Sequence, residues 1–237
     1  MILEGNVSVK AAILAGRRKV TKLYMAIDKH DRDSHYILHR AIERNIEVVR
    51  CARQEIDALA SGRTHGGLIA EAESRNYQEL DDCLGGMPFV VLCEGVEDPF
   101  NLGYVMRSLY SAGCTGILLR ERDWSFGEPV ILKASAGAFD HMNVVLCADL
   151  PSAIRHFKEA GLHGYAAMRK DAVSYFEADF NRPILLAIGG EMRGLSSKVL
   201  KELDQNIYVP YANDFRNALN AAAAAAAIGF EVYRQRL

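Results

Sequence analysis

Apolar positions along this chain switch repeatedly between a helical period of about 3.6 and short continuous or alternating runs, a pattern that predicts an α/β protein. Val7 to Ala15 reads as an amphipathic helix stopped by Gly16, Lys22 to Ile27 as a strand, and His35 to Arg44 as a second helix. Ile46 to Cys51 is the next strand, Gln54 to Ala60 the next helix, and Gly66-Gly67 opens a strand from Leu68 to Ala72. Residues 1–75 therefore form a small α/β domain. From Ala72 to Gly86 the chain turns polar and then enters Cys-Leu-Gly-Gly-Met-Pro, which marks residues 76–88 as a linker.

Residues 89–237 form the second domain. It opens on Phe89-Val-Val-Leu-Cys-Glu94, a run of the kind found in strands buried on both faces of a parallel sheet. Helix Asn101 to Ala112, strand Gly116 to Leu119, helix Val130 to Ala136 and strand Asn143 to Cys147 follow. Next come helix Pro151 to Ala160, strand Gly164 to Met168, an irregular segment, strand Ile184 to Ile188, helix Ser197 to Leu203 and strand Ile207 to Val209. A last helix is expected from about Phe215 to Arg236, with seven consecutive alanines at 221–227. Such alternation predicts a mostly parallel sheet with right-handed crossovers and helices on both faces.

Composition narrows the class. Half of the 237 residues are hydrophobic, enough for a sizeable core. No apolar run approaches the roughly 18 residues of a membrane span, and the amino terminus lacks the pattern of a secretory signal. A cytoplasmic protein without a membrane partner is expected. The five cysteines are odd in number and widely spaced, which predicts core thiols rather than disulfides or a zinc site, and no histidine pairing suggests a metal.

The net charge of −2 argues against a surface that wraps nucleic acid throughout, but its distribution is uneven. Residues 1–80 carry 13 Lys and Arg against 11 Asp and Glu, and the remainder carry 15 against 19. Arg17, Arg18, Lys19 and Lys22 are the densest basic patch, either a phosphate-binding surface or a solvated helix end.

Candidate chemistry gathers at strand exits in the second domain, where parallel α/β proteins place ligands. Gly95-Val-Glu-Asp-Pro-Phe-Asn-Leu-Gly103 lacks the Gly-x-Gly-x-x-Gly of dinucleotide sites, and no Walker pattern occurs. The same loop supplies Asn101 at a helix start and Arg107, with Gly103 one turn before the arginine and on its face. Gly189-Gly190-Glu191-Met-Arg-Gly194 exposes backbone around one carboxylate. Pro210 ends a strand, and Asn220 lies in the first turns of the final helix. Taken singly, each has a plain structural explanation: a helix cap, a glycine-rich strand exit, or an asparagine satisfied by backbone.

In order and spacing, however, Glu94 to Gly113, Ile188 to Leu195, and Ile207-Tyr-Val-Pro followed by Ala218-Leu-Asn220 resemble the three motifs of the SpoU (TrmH) type of the SPOUT superfamily of RNA methyltransferases. Lys133-Ala-Ser-Ala-Gly-Ala138 is a further stretch similar to the family. The resemblance covers residues 89–237. Residues 1–75 look like the small RNA-binding domain, similar to certain ribosomal proteins, that often precedes it. The resemblance implies a deep trefoil knot in the carboxyl-terminal segment, S-adenosylmethionine as cofactor, and a homodimer whose active site draws on both subunits. It implies methyl transfer to a ribose 2′-hydroxyl of rRNA or tRNA. By position, Gly189, Val209 and Leu219 would line the adenosine pocket, and Asn101, Arg107, Glu191 and Asn220 fall on the family's functional positions.

The chain departs from that pattern in one motif. Ala218 stands where the family usually has serine, the spacing from Pro210 is about one residue longer, and Tyr211 replaces the usual methionine. Asn213 or Asn217 could then supply the lost hydrogen bond. The departure leaves two other readings open: an RNA-binding protein of the same fold with little catalysis, or methylation of a different acceptor.

Overall fold

The computed structural model describes residues 1–237 and comprises two compact units, Met1–Asn76 with Trp124–His141 and Tyr77–Asp123 with Met142–Leu237.

The first unit holds β1 (Ile2–Glu4), α1 (Gly5–Ala15), β2 (Val20–Ala26), α2 (Arg32–Glu43), β3 (Glu47–Cys51), α3 (Arg53–Leu59) and β4 (Leu68–Ala72). Gly16 ends α1 in the left-handed region at φ 66°, and the Asp31 carboxylate caps α2 by accepting the Ser34 N–H. The sheet runs β1-β4-β2-β3; β2 and β3 are parallel, and β4 is antiparallel to both β1 and β2. β1 has no counterpart among the expected strands because three residues are too few to show a period. One face of the sheet packs Ala26, Cys51 and Ile69 against Ile56 of α3. On the other side of the unit, α1 packs against α2 and β4.

Residues 124–141 were expected in the second domain, but they fold with the first unit as α5 (Glu128–Ala134) and α6 (Ala138–His141), and α4 lies elsewhere, at Pro99–Ser111. Arg18 is the reason. Its Nη1 donates to Glu128 Oε2 at 2.7 Å, its Nη2 to Asp140 Oδ1 at 2.7 Å and its Nε to Asp140 Oδ2 at 2.8 Å, with all three side chains buried. The Arg75 N–H also donates to Glu128 Oε2, and the Arg75 guanidinium stacks on the Phe139 ring. Burial works against the charge on Arg18, yet the two carboxylates outweigh it and hold its pKa above the usual value. Lys133 adds a bond to the Thr64 hydroxyl at 2.6 Å.

The second unit is built on β5 (Phe89–Glu94), β6 (Gly116–Arg120), β7 (Asn143–Cys147), β8 (His163–Ala167), β9 (Ala172–Ser174), β10 (Ile184–Gly189) and β11 (Gln205–Tyr208). These seven strands form one parallel sheet in the order β7-β6-β5-β10-β8-β11-β9. Every residue of β5 is buried, as its apolar run requires. Val90, Leu92, Leu118, Val145 and Leu185 meet Ile154 and Phe157 of α7 (Leu150–Glu159) and Val199 of α8 (Ser197–Leu200). α4 packs against α9 (Ala221–Gln235), and α9 also contacts β10. The five cysteines are free and buried; burial pushes the Cys93 thiol up to about 12 and the Cys147 thiol to about 11, consistent with inert core positions.

α9 starts at Ala221, six residues later than its expected start at Phe215. Residues 211–220 stay outside any helix because Arg169 takes the carbonyls of Phe215, Arg216 and Asn217, and Asn220 caps the helix. The sheet order reverses beside β5, with β6 and β7 on one side and β10 onward on the other. The carboxyl ends of the strands at such a switch point leave a crevice for a ligand.

Candidate active site and cofactor cavity

Next to that crevice, a cavity of about 370 Å³ opens at the carboxyl ends of β8, β10 and β11. Gly189, Val209 and Leu219, expected to surround an adenosine, all line it. Ile188, Leu195, Ile207 and Ile228 give it apolar walls, while Arg169, Glu191, Arg193 and Tyr211 bring polar groups. Its size and mixed lining are those of a small-molecule site.

Close backbone approach explains the glycines. A Cβ at Gly189 would lie 2.5 Å from the Gly194 carbonyl carbon, and one at Gly190 would overlap the Gly95 carbonyl oxygen. Glu94 fixes both ends of the turn between them. Its carbonyl accepts the Gly190 N–H at 2.7 Å, and its carboxylate, only 8% exposed as a residue, accepts the Ser196 N–H at 2.7 Å. Gly194 N–H closes the turn on the Gly190 carbonyl at 2.9 Å, and the Ser196 hydroxyl caps α8. Glu94 belongs to the first motif, but its positioning role was not visible there, since its partner lies 102 residues away.

A second cavity of about 470 Å³ adjoins the same turn and brings Asn101 together with Gly95, Glu191 and Arg193. Asn101 is not the helix cap. Asp98 is, accepting the Asn101 N–H at 2.8 Å, so Asn101 occupies the first turn of α4 with its side chain not needed for capping.

The structure does not bring Arg107 or Asn220 into either cavity. Gly103 is buried while Arg107 is exposed. Arg107 shares its helix face with Phe100, 56% exposed, and Tyr104, 49% exposed. Asn220 is the cap of α9, its Oδ1 accepting the Ala223 N–H at 2.8 Å, rather than a residue inside the helix.

In the basic patch, Arg18 is corrected from an RNA contact to a structural ion pair, because its guanidinium is enclosed by Glu128 and Asp140. Lys22 pairs with Glu47 at 2.8 Å, which raises its pKa, and exposed Lys19 lies 3.5 Å from Glu73. Arg17 is half-buried. Arg169 and Tyr211, on the cavity wall, are residues that sequence reasoning missed; the replacement of methionine by Tyr211 was their one signal.

A parallel sheet with a glycine-rich cavity at its strand ends, preceded by a small mixed α/β unit, defines a two-unit α/β protein of the ligand-at-strand-ends class. The model of the SpoU rRNA methylase family matches residues 88–230, and that for RNA 2′-O ribose methyltransferase substrate binding matches residues 2–78. The chain belongs to the SpoU rRNA methylase family. It is 30% identical over 229 residues to YacO of Bacillus subtilis, named for the TrmH family of tRNA/rRNA methyltransferases, with 94% of this chain and 91% of that protein covered. Among solved structures, the SpoU methyltransferase AviRb from Streptomyces viridochromogenes, in complex with AdoMet, superposes with a TM-score of 0.82 at 23% identity, covering 100% of this chain and 90% of that one. The AdoMet-bound rRNA methyltransferase from Sinorhizobium meliloti gives 0.81 at 24% identity, covering 100% and 87%.

Proposed function

We propose that this chain transfers a methyl group from S-adenosylmethionine to a ribose 2′-hydroxyl of tRNA or rRNA, as a cytoplasmic homodimer. The observation that carries the reading is the convergence of Gly189, Val209 and Leu219 on one cavity whose rim supplies Glu191. The residues present suit the cofactor. Apolar Ile188, Leu195 and Ile207 suit an adenine ring, the glycine backbone at 189 lets it approach closely, and Glu191 and Arg193 suit the charged amino-acid end. When bound, the cofactor supplies an electrophilic methyl on a sulfonium.

The work of the protein is then positioning. Asn101 and Glu191 share the adjoining cavity, where Glu191 orders the turn and Asn101 faces the acceptor. Arg107 acts by binding the phosphate next to the acceptor, through the planar fork of donors that a guanidinium offers a phosphate, rather than as a base. Its exposed place on α4 supports a site completed across a dimer. Phe100 and Tyr104 on that face, with Phe230 and Tyr233 exposed on α9, offer the apolar surface a second copy would cover. Asn220 orients the acceptor from the start of α9. The carboxyl-terminal segment after β11 is read as threading the glycine-rich turn to make the knot that the family resemblance implies. Residues 1–75, with 124–141, hold the RNA, residues 76–88 connect, and the rest of 89–237 forms the catalytic domain. Arg17, Lys19 and Lys22 are the remaining phosphate contacts of the basic patch.

The test is incubation with methyl-labelled S-adenosylmethionine and total tRNA or rRNA, followed by mapping of the labelled nucleotide. Label in a ribose supports the reading. Absence of cofactor binding overturns it, cofactor binding without transfer to any RNA favours the RNA-binding alternative that Ala218 motivates, and label in a base points to the other acceptor.

A further inference from the structure

One wall of the cofactor cavity is made by a segment that burial cannot hold. Residues 212–220 are all exposed and lie outside any helix or strand, yet Ala218 and Leu219 line the cavity. Apart from the Asn220 cap on α9, the bonds that fix this segment come from two side chains. Arg169, just beyond β8, donates through Nη1 to the carbonyls of Phe215 at 3.4 Å and Arg216 at 3.2 Å, and through Nη2 to that of Asn217 at 3.4 Å. The same guanidinium lies 4.2 Å from the centre of the Tyr211 ring. Tyr211 in turn accepts the Leu219 N–H on its hydroxyl at 2.9 Å. A planar, delocalised cation with several fixed donors can bridge successive carbonyls and stack on an aromatic face at once, which an ammonium cannot do.

We propose that Arg169 and Tyr211 are positioning residues that clamp residues 211–219 as the wall of the cofactor cavity. The Tyr211 hydroxyl supplies the side-chain anchor for the motif in which Ala218 lacks a hydroxyl, a role expected of Asn213 or Asn217. The two departures of this motif are thus coupled: the hydroxyl missing at 218 is replaced by one at 211, bonded to the neighbouring amide. The proposal rests on reading the cavity as the S-adenosylmethionine site.

The clamp is tested with Tyr211→Phe, Arg169→Ala and Arg169→Lys in the full chain. Tyr211→Phe keeps the ring under the guanidinium and removes one hydrogen bond, so the Kd for S-adenosylmethionine by calorimetry should rise about 2- to 10-fold. Turnover at saturating cofactor should fall by less than that factor, since the clamp shapes the wall and does not touch the acceptor. Arg169→Lys should bind about as weakly as Arg169→Ala, because the fork and the stacking are lost in both. Recovery of wild-type affinity by lysine would overturn the clamp and make Arg169 a simple charge partner of the cofactor. Without cofactor, exchange of the Leu219 amide, which the Tyr211 hydroxyl holds, should be faster in Tyr211→Phe and Arg169→Ala than in the wild type. Unchanged exchange together with an unchanged Kd would sink the proposal. A wild-type protein that binds no S-adenosylmethionine would remove the cofactor reading instead, and the exchange measurement would still decide whether the clamp exists.

Discussion

Position 190 has no room for a side chain, because the Gly95 carbonyl occupies the place of a Cβ. Gly190→Ala forces the exits of β5 and β10 apart at the mouth of the cavity. Overpacking of this kind costs about 1–3 kcal/mol, which corresponds to a loss of about 5- to 150-fold in cofactor affinity if the strain falls on the bound form, measurable by calorimetric titration. An affinity equal to wild type would show that the turn can move without cost. Arg107 is the opposite case, exposed and outside both cavities. Arg107→Ala should lower methyl transfer at least about 100-fold while the Kd for S-adenosylmethionine stays near wild type. Normal turnover in that variant would remove the arginine from the mechanism. The glycines were legible in the sequence because a Gly-Gly pair at the end of an apolar run has few other uses. Glu94, Arg169 and Tyr211 were not, since their partners are set by how distant segments come together.

The elements carry two stability predictions. Arg18 joins α5 and α6 to the sheet of the first unit through two buried carboxylates. Arg18→Ala leaves Glu128 and Asp140 buried without their cation, and should destabilise the unit by about 3–5 kcal/mol in denaturant unfolding. A change below about 1 kcal/mol would mean that water reaches the carboxylates and that the pair is not structural. At the start of α9, Asn220→Ala removes a cap and should cost about 1 kcal/mol, whereas Asn220→Ser keeps an acceptor and should restore most of it. Both variants should lose methyl transfer if the Asn220 amide orients the acceptor; activity in the serine variant would restrict Asn220 to capping. Periodicity located most helices and strands to within a few residues. It missed β1 and β9, which have three residues each, and began α9 too early, because helix propensity around Phe215 says nothing of the arginine that takes its carbonyls.

Phe100 and Tyr104 on α4 and Phe230 and Tyr233 on α9 remain exposed, and Arg107 shares the α4 face with the first two. At micromolar concentration the protein should elute as a dimer. Tyr104→Asp, by placing a charge in that surface, should give a folded monomer that has lost methyl transfer. A wild-type monomer with full activity would exclude a site shared between subunits.

The parallel sheet and the glycine-rich exit at Gly189 were legible from residue type, because burial on both faces and close backbone approach are local constraints, while the family and the pocket positions Val209 and Leu219 came from the resemblance in motif order. Long-range packing was needed to reveal that Arg18 is a buried ion pair, that residues 124–141 fold with the first unit, and that Arg169 and Tyr211 bond residues 215–219. Charge pairing and hydrogen bonding depend on which distant groups are brought within about 3 Å, and a run of basic or polar residues is compatible with many such partners.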